Sequence, residues 1–117
     1  INSLLDMECF IKGRCGSVIS VGCYSECWSR SNIDVTKEFI SLALELGNPI
    51  QFATKRCVSL DDISDISSRL EWPGQLSLFV SCSTISKWKV YEKGTARPSD
   101  RFKNIAEIKR AGVNVFL

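Results

Sequence analysis

Three short apolar runs in this chain, Ser17–Val21, Ile50–Ala53 and Leu76–Val80, each end in a polar cluster, and a helical pattern follows every one. The clusters read Gly22-Cys23-Tyr24-Ser25-Glu26, Thr54-Lys55-Arg56 and Ser81-Cys82-Ser83-Thr84. Runs this short, bounded by turn residues, are the pattern of strands buried in a sheet. Strands that alternate with helices build parallel sheets, whose chemistry gathers just past the carboxyl ends of the strands. The three clusters are therefore expected to meet at one site.

The helical stretches carry their own punctuation. Leu4, Leu5, Met7, Cys9, Phe10 and Ile11 predict a short amphipathic helix stopped by Gly13. Asp34 is placed to cap a second helix, on which Val35, Phe39, Ile40, Leu42, Ala43 and Leu46 share one broad face. Gly47 and Pro49 end it, the glycine by a left-handed cap and the proline because it cannot continue a helix. Ser59 caps a third helix that turns Leu60, Ile63, Ile66 and Leu70 inward, with Asp61 and Asp62 at the positive end of its dipole. Pro73-Gly74 turns the chain into the third strand, and a long loop runs from Ser83 to about Pro98. Pro98 or Ser99 opens a last helix with Phe102, Ile105, Ala106 and Ile108 on its apolar side, and Gly112 leads into a fourth strand, Val113–Leu117. The prediction is α/β: parallel strands near 17–22, 50–54, 76–81 and 113–117, with helices near 34–46, 60–71 and 99–111. Periodicity alone fits the wall of a (β/α) barrel and part of an open doubly wound sheet equally well.

Composition narrows the class. A chain of 117 residues makes one domain at most, and 44% hydrophobic with 24% charged residues is too apolar for disorder. The apolar fourth strand with nothing after it, and Ile1 in place of methionine, raise the expectation that residues 1–117 are an internal piece of a larger α/β protein. A net charge of +2 without clustering gives no basic footprint for nucleic acid. No apolar stretch approaches the ~20 residues of a membrane span, and no signal peptide is visible, so the expected address is cytoplasmic. Six cysteines, at 9, 15, 23, 27, 57 and 82, fall in or beside periodic segments, and are expected to be reduced and mostly packed as small apolar residues.

Among chemistry-bearing residues, Cys23-x3-Cys27 draws attention first. Structural zinc takes four ligands and an iron–sulfur cluster at least three protein thiolates, and Arg30 stands where a third thiolate would fall. A guanidinium does not ligate metal. The pair is expected to bind none. Glu26, just past a strand end, can hold a ligand amine or hydroxyl, or simply be a solvated loop acid. Lys55 can meet a carboxylate or phosphate, with Arg56 expected on the opposite side. Ser81 and Ser83 share one side of the third strand and Cys82 the other, because side chains alternate along a strand. Glu92 and Arg101 flank the segment Lys93–Asp100 and can close the long loop as an ion pair, the alternative being a solvated surface pair. No histidine is present, so no serine–histidine or cysteine–histidine nucleophile forms within the chain, and no phosphate-binding glycine motif occurs.

Taken in order, these segments resemble a known family. Val18-Ile19-Ser20-Val21-Gly22-Cys23-Tyr24-Ser25-Glu26-Cys27-Trp28 resembles the second-strand segment of radical S-adenosylmethionine proteins of the spore photoproduct lyase type. Ala53-Thr54-Lys55-Arg56 resembles that family's Thr-Lys strand end, and Val80-Ser81-Cys82-Ser83-Thr84 its Val-Ser-x-Ser strand end. The stretch from Glu92 through Thr95 and Pro98 to Arg101-Phe102 resembles its Glu…Thr…Pro…Arg element, and Ala111-Gly112-Val113 the turn that follows. The resemblance implies part of a (β/α)6 barrel that binds S-adenosylmethionine and a [4Fe–4S] cluster and generates a 5′-deoxyadenosyl radical. It also implies a lyase-like activity, with nucleic acid as substrate by resemblance only. Carried over residue by residue, Ser25, Lys55 and Ser81 contact S-adenosylmethionine. Glu26 takes the place of the usual aspartate, and Ser83 completes the cofactor-binding set. The cluster-binding Cys-x3-Cys-x2-Cys loop follows the first barrel strand in that family, so its ligands are expected upstream of Ile1. Cys23 and Cys27 fall at the second strand and are not those ligands. Two other classes share the pattern: a different (β/α)-barrel enzyme, and a non-catalytic α/β scaffold or binding module.

Overall fold

The computed structural model of the chain describes residues 2–22 and 25–117; the expectations placed on Cys23 and Tyr24 lie outside the described residues. The elements run α1 (Asn2–Leu5), β1 (Ile19–Val21), α2 (Ile33–Glu45), β2 (Ile50–Thr54), α3 (Leu60–Ser67), β3 (Leu76–Val80), α4 (Trp88–Tyr91), α5 (Pro98–Arg110) and β4 (Asn114–Phe116). All four strands are parallel and pair in chain order, β1-β2-β3-β4. Ile19, Ile50 and Leu76 lie side by side across three strands, and Val21, Phe52, Leu78 and Val115 across four.

One face of this sheet is covered and the other is open. Along β2 the residues Ile50, Phe52 and Thr54 are buried, and along β3 Leu76, Leu78 and Val80, as strand alternation requires. They form one core with Ile40, Ala43 and Leu44 of α2, Ile63 and Ile66 of α3 and Ile108 of α5, so the three long helices pack on the same side. On the open side Ser20, Gln51, Ser77 and Asn114 form a polar row, with Gln51 Nε2 donating to Ser20 Oγ at 2.7 Å. Beyond it toward the carboxyl ends, Phe79 and Phe116 stack with ring centroids 5.2 Å apart.

Polar side chains latch the amino-terminal end. Buried Asn48 accepts from Gly13 N and donates to the carbonyls of Ile11 and Ser17, all at 2.8 Å. Buried Gln75 donates to the carbonyls of Leu44 and Asn48 and accepts from Glu71 N. Each replaces a backbone partner that a turn leaves unpaired.

Several local expectations need correction. The first helix is confined to Asn2–Leu5, and the segment after it runs through turns pinned by Asn48. Helix α2 begins at Ile33 behind Asn32, so Asp34 sits in its first turn rather than at its cap, and Asn32 spends its amide on Glu26 O. Val35 and Leu42 stay exposed, at 70% and 44%, because the inward face of α2 is Thr36, Ile40, Ala43 and Leu44. Leu60 is likewise exposed, at the first turn of α3, whereas Ser59 caps that helix as expected by accepting from Asp62 N. Pro98 occupies the first turn of α5. The cysteines are mostly not core residues: Cys9, Cys15 and Cys57 are exposed and Cys82 half-buried, all as free thiols, while Cys27 is buried. Among the described residues no helix is long and apolar enough to cross a membrane.

Candidate functional site

At the carboxyl ends of β1, β2 and β3 lies a cleft of about 460 Å³ lined by Gly22, Ser25, Glu26, Ala53, Thr54, Lys55, Arg56, Ser81, Lys93, Gly94 and Thr95. Ser25, Glu26, Lys55 and Ser81 are thus brought together from three separate loops. Ser83 is not among the lining residues. Strand β3 stops at Val80, so the alternation that would have put Ser83 beside Ser81 no longer operates. Arg56, expected on the opposite side, lines the cleft for the same reason. Strand β2 ends at Thr54, the chain bends, and Arg56 N donates back to Thr54 Oγ1 at 3.0 Å.

Glu26 shapes the near wall. Its Oε1 accepts from Trp28 N (2.9 Å) and from the Thr54 hydroxyl (2.6 Å), and its Oε2 accepts from Lys55 N (2.9 Å). A carboxylate offers about four acceptor positions. Three are occupied, so Oε2 retains one for a ligand donor. The side chain therefore splices the β1 loop to the end of β2, a role beyond the ligand contact expected from sequence. Behind it, Trp28 stacks on Phe52 at 5.4 Å between centroids, and Thr36 Oγ1 donates to Cys27 O at 2.7 Å.

The far wall is the 81–97 segment between β3 and α5, and a buried charge cluster holds it. Arg101, on α5, is 0% exposed and Glu92 3%. The guanidinium donates through Nε to Ala96 O (2.7 Å), through Nη1 to Ser81 O (2.6 Å) and Glu92 Oε2 (3.3 Å), and through Nη2 to Thr95 Oγ1 (2.6 Å). Glu92 also accepts from Ser83 N at 3.2 Å and meets the Lys55 ammonium at 3.2 Å. Ala96 N closes the loop onto Lys55 O at 3.2 Å. The expected Glu92–Arg101 ion pair is present, and it is buried rather than solvated. The spacing of acid and base in the sequence could suggest the pair, but not its burial. That depends on the carbonyls of Ser81 and Ala96, backbone groups that carry no sequence signature.

Burial alone would raise the Glu92 carboxyl. The hydrogen bond from Lys55 and the charges of Arg101 and Lys55 outweigh it and hold Glu92 below the usual carboxylate range. A depressed carboxyl stabilises the fold above its unfolded value of about 4.3, and that contribution is lost as pH falls through the folded value. Thermal melts from pH 7 downward are therefore expected to show stability falling below about pH 4.3. Glu92→Gln, less stable at pH 7, should have a shallower acid slope; equal slopes would remove Glu92 from the acid response.

Electrostatically the cleft favours anions. Lys55, Arg56 and Lys93 are among its lining residues, with Glu26 the one carboxylate among the described lining residues, and its oxygens already serve three donors. The Lys55 side chain is 43% exposed, so its ammonium is reachable from solvent. Among the described residues no group of three or more cysteine, aspartate or glutamate side chains is placed to hold a metal ion. Cys27 Sγ donates to Ala53 O at 3.4 Å behind the cleft. The chain matches no protein-family model, and neither curated proteins nor solved structures include a significant match to it.

Proposed function

We propose that the cleft at the strand ends binds S-adenosylmethionine, and that the chain is part of the (β/α) barrel of a radical enzyme similar to the spore photoproduct lyase type. The observation that carries this reading is the convergence of Ser25, Glu26, Lys55 and Ser81 on one cationic cleft. The sequential parallel sheet with its helices on one face supports the barrel reading, in which the open face would be the barrel interior.

The cleft suits the amino-acid end of that cofactor. Lys55 supplies a point charge for a carboxylate, the exposed hydroxyls of Ser25 and Ser81 can donate beside it, and Glu26 Oε2 keeps one acceptor position for an ammonium. A volume of about 460 Å³ lies within the range of small-ligand clefts. Lys55, Ser25 and Ser81 would hold the cofactor's amino-acid end; given one electron from a cluster bound by residues outside those described, the cofactor would supply a 5′-deoxyadenosyl radical and release methionine. The described residues do not fit the iron–sulfur cluster, which wants at least three thiolates together.

Losing one hydrogen bond to a charged ligand group costs about 1.5–3 kcal/mol, or roughly ten- to a hundredfold in affinity. Lys55→Ala should weaken S-adenosylmethionine binding by that factor in a calorimetric titration. Equal affinity for wild type and Lys55→Ala would remove Lys55 from the site, and no binding to wild type would remove the cofactor.

A further inference from the structure

The Lys55 ammonium belongs to two environments at once. It reaches the open cleft, and at 3.2 Å it touches Glu92, a carboxylate that lies outside the cleft lining and is almost wholly buried. The charge balance of this cluster is unusual. One carboxylate serves two cations, and the buried guanidinium of Arg101 already offsets it at 3.3 Å. The ammonium of Lys55 is therefore surplus charge, anchored but not cancelled. An ammonium has three donors. One goes to Glu92 and the others remain for a ligand.

Resting on the reading of the cleft as an anion-binding site, we propose that Glu92 is a positioning residue. It fixes the Lys55 ammonium for a ligand anion and thereby ties the order of the 81–96 loop to the occupancy of the cleft. A free lysine must give up rotamer freedom to bind an anion; here the carboxylate restrains the side chain beforehand. The connection runs through named bonds. Glu92 accepts from Ser83 N, Arg101 holds Glu92, Thr95 and the carbonyls of Ser81 and Ala96, and Ala96 N returns to Lys55 O. A ligand that immobilises Lys55 should also steady the loop, because coupling between two events is reciprocal.

Glu92→Asp separates positioning from bulk electrostatics. The shorter side chain keeps a negative charge for Arg101 but cannot span both cations. With pyrophosphate and S-adenosylhomocysteine as probes, Glu92→Asp is expected to weaken binding about tenfold, one hydrogen bond to a charged group. Lys55→Met should weaken it similarly, and the double variant should be no worse than Lys55→Met alone, the non-additivity of residues acting as a unit. Additive losses, or full affinity in a folded Glu92→Asp, would overturn the proposal. A measurement on wild type decides the matter if the variant fails to fold: pyrophosphate should slow amide hydrogen exchange at Ser83, and unchanged exchange with the probe bound overturns the coupling. Pyrophosphate binding without S-adenosylhomocysteine binding would refute the cofactor reading and leave the role of Glu92 to be judged on the pyrophosphate data. Failure of both probes to bind wild type would overturn both.

Discussion

Arg101→Met is expected to cost about 3–5 kcal/mol, the effect of breaking a buried ion pair from one side. The substitution keeps much of the side chain's apolar volume but leaves the Glu92 carboxylate buried without its guanidinium, and deprives the carbonyls of Ser81 and Ala96 and the Thr95 hydroxyl of a donor. In a domain of this size each kcal/mol moves the melting temperature by about 4 °C, so a fall of more than about 10 °C should be seen by differential scanning calorimetry. Arg97→Met, at an exposed residue nearby, serves as control and should change little. A drop of only a few degrees in Arg101→Met would mean that the cluster is solvated in solution and does not hold the loop.

Gly22→Ala should be nearly as damaging, for a steric reason. Gly22 has φ +87°, and a Cβ there would lie 2.5 Å from Ala53 O and 2.9 Å from Cys27 Sγ. The carbonyl belongs to the neighbouring strand and cannot move without disturbing the β1–β2 pairing. Backbone strain and overpacking together should cost about 2–4 kcal/mol. Gly94 isolates the backbone part: its φ is +78° but nothing lies within 4 Å of an added Cβ. Gly94→Ala should therefore cost only the left-handed backbone term, about 1–2 kcal/mol. Chemical denaturation of both variants tests this, and equal midpoints would show that the sheet edge yields to the methyl group. Both glycines line the cleft, but only at Gly22 would the added Cβ displace a neighbouring backbone group, so Gly22→Ala should weaken ligand binding more than Gly94→Ala.

The strands and long helices were legible because their signals are local. Ile50–Thr54 and Leu76–Val80 are short apolar runs with turn residues behind them, and Ser59 and Pro98 mark helix starts by chemistry that needs no tertiary context. The meeting of Ser25, Lys55 and Ser81 followed from topology, since parallel strands bring their carboxyl ends to one edge. What failed depended on where regular structure stops. Side-chain alternation does not extend past Thr54 and Val80, where the strands end, so Arg56 lines the cleft beside Lys55 and Ser83 does not line it with Ser81. Val35 and Leu42 lie on the broad apolar face of α2 yet stay exposed, because that face exceeds what the sheet can cover and only packing decides which edge of it is left out. The bonding of Glu26 to three partners, Trp28, Thr54 and Lys55, spans loops distant in sequence, and no pattern in either loop announces it.

The strand order has a consequence for how the chain assembles. Each strand pairs with its successor in the chain, and none is inserted between two that already pair. The central unit β2–α3–β3 can therefore form as a nucleus from a contiguous stretch, with β1 and β4 added outward on either side. The same order lets an edge strand detach without unthreading its neighbours, so opening should proceed from the edges inward. The Arg101 cluster joins β2, the β3 loop and α5, and can close only when all three are in place. It is therefore expected to fasten late, and chains halted before it forms should keep a sheet while lacking a cleft.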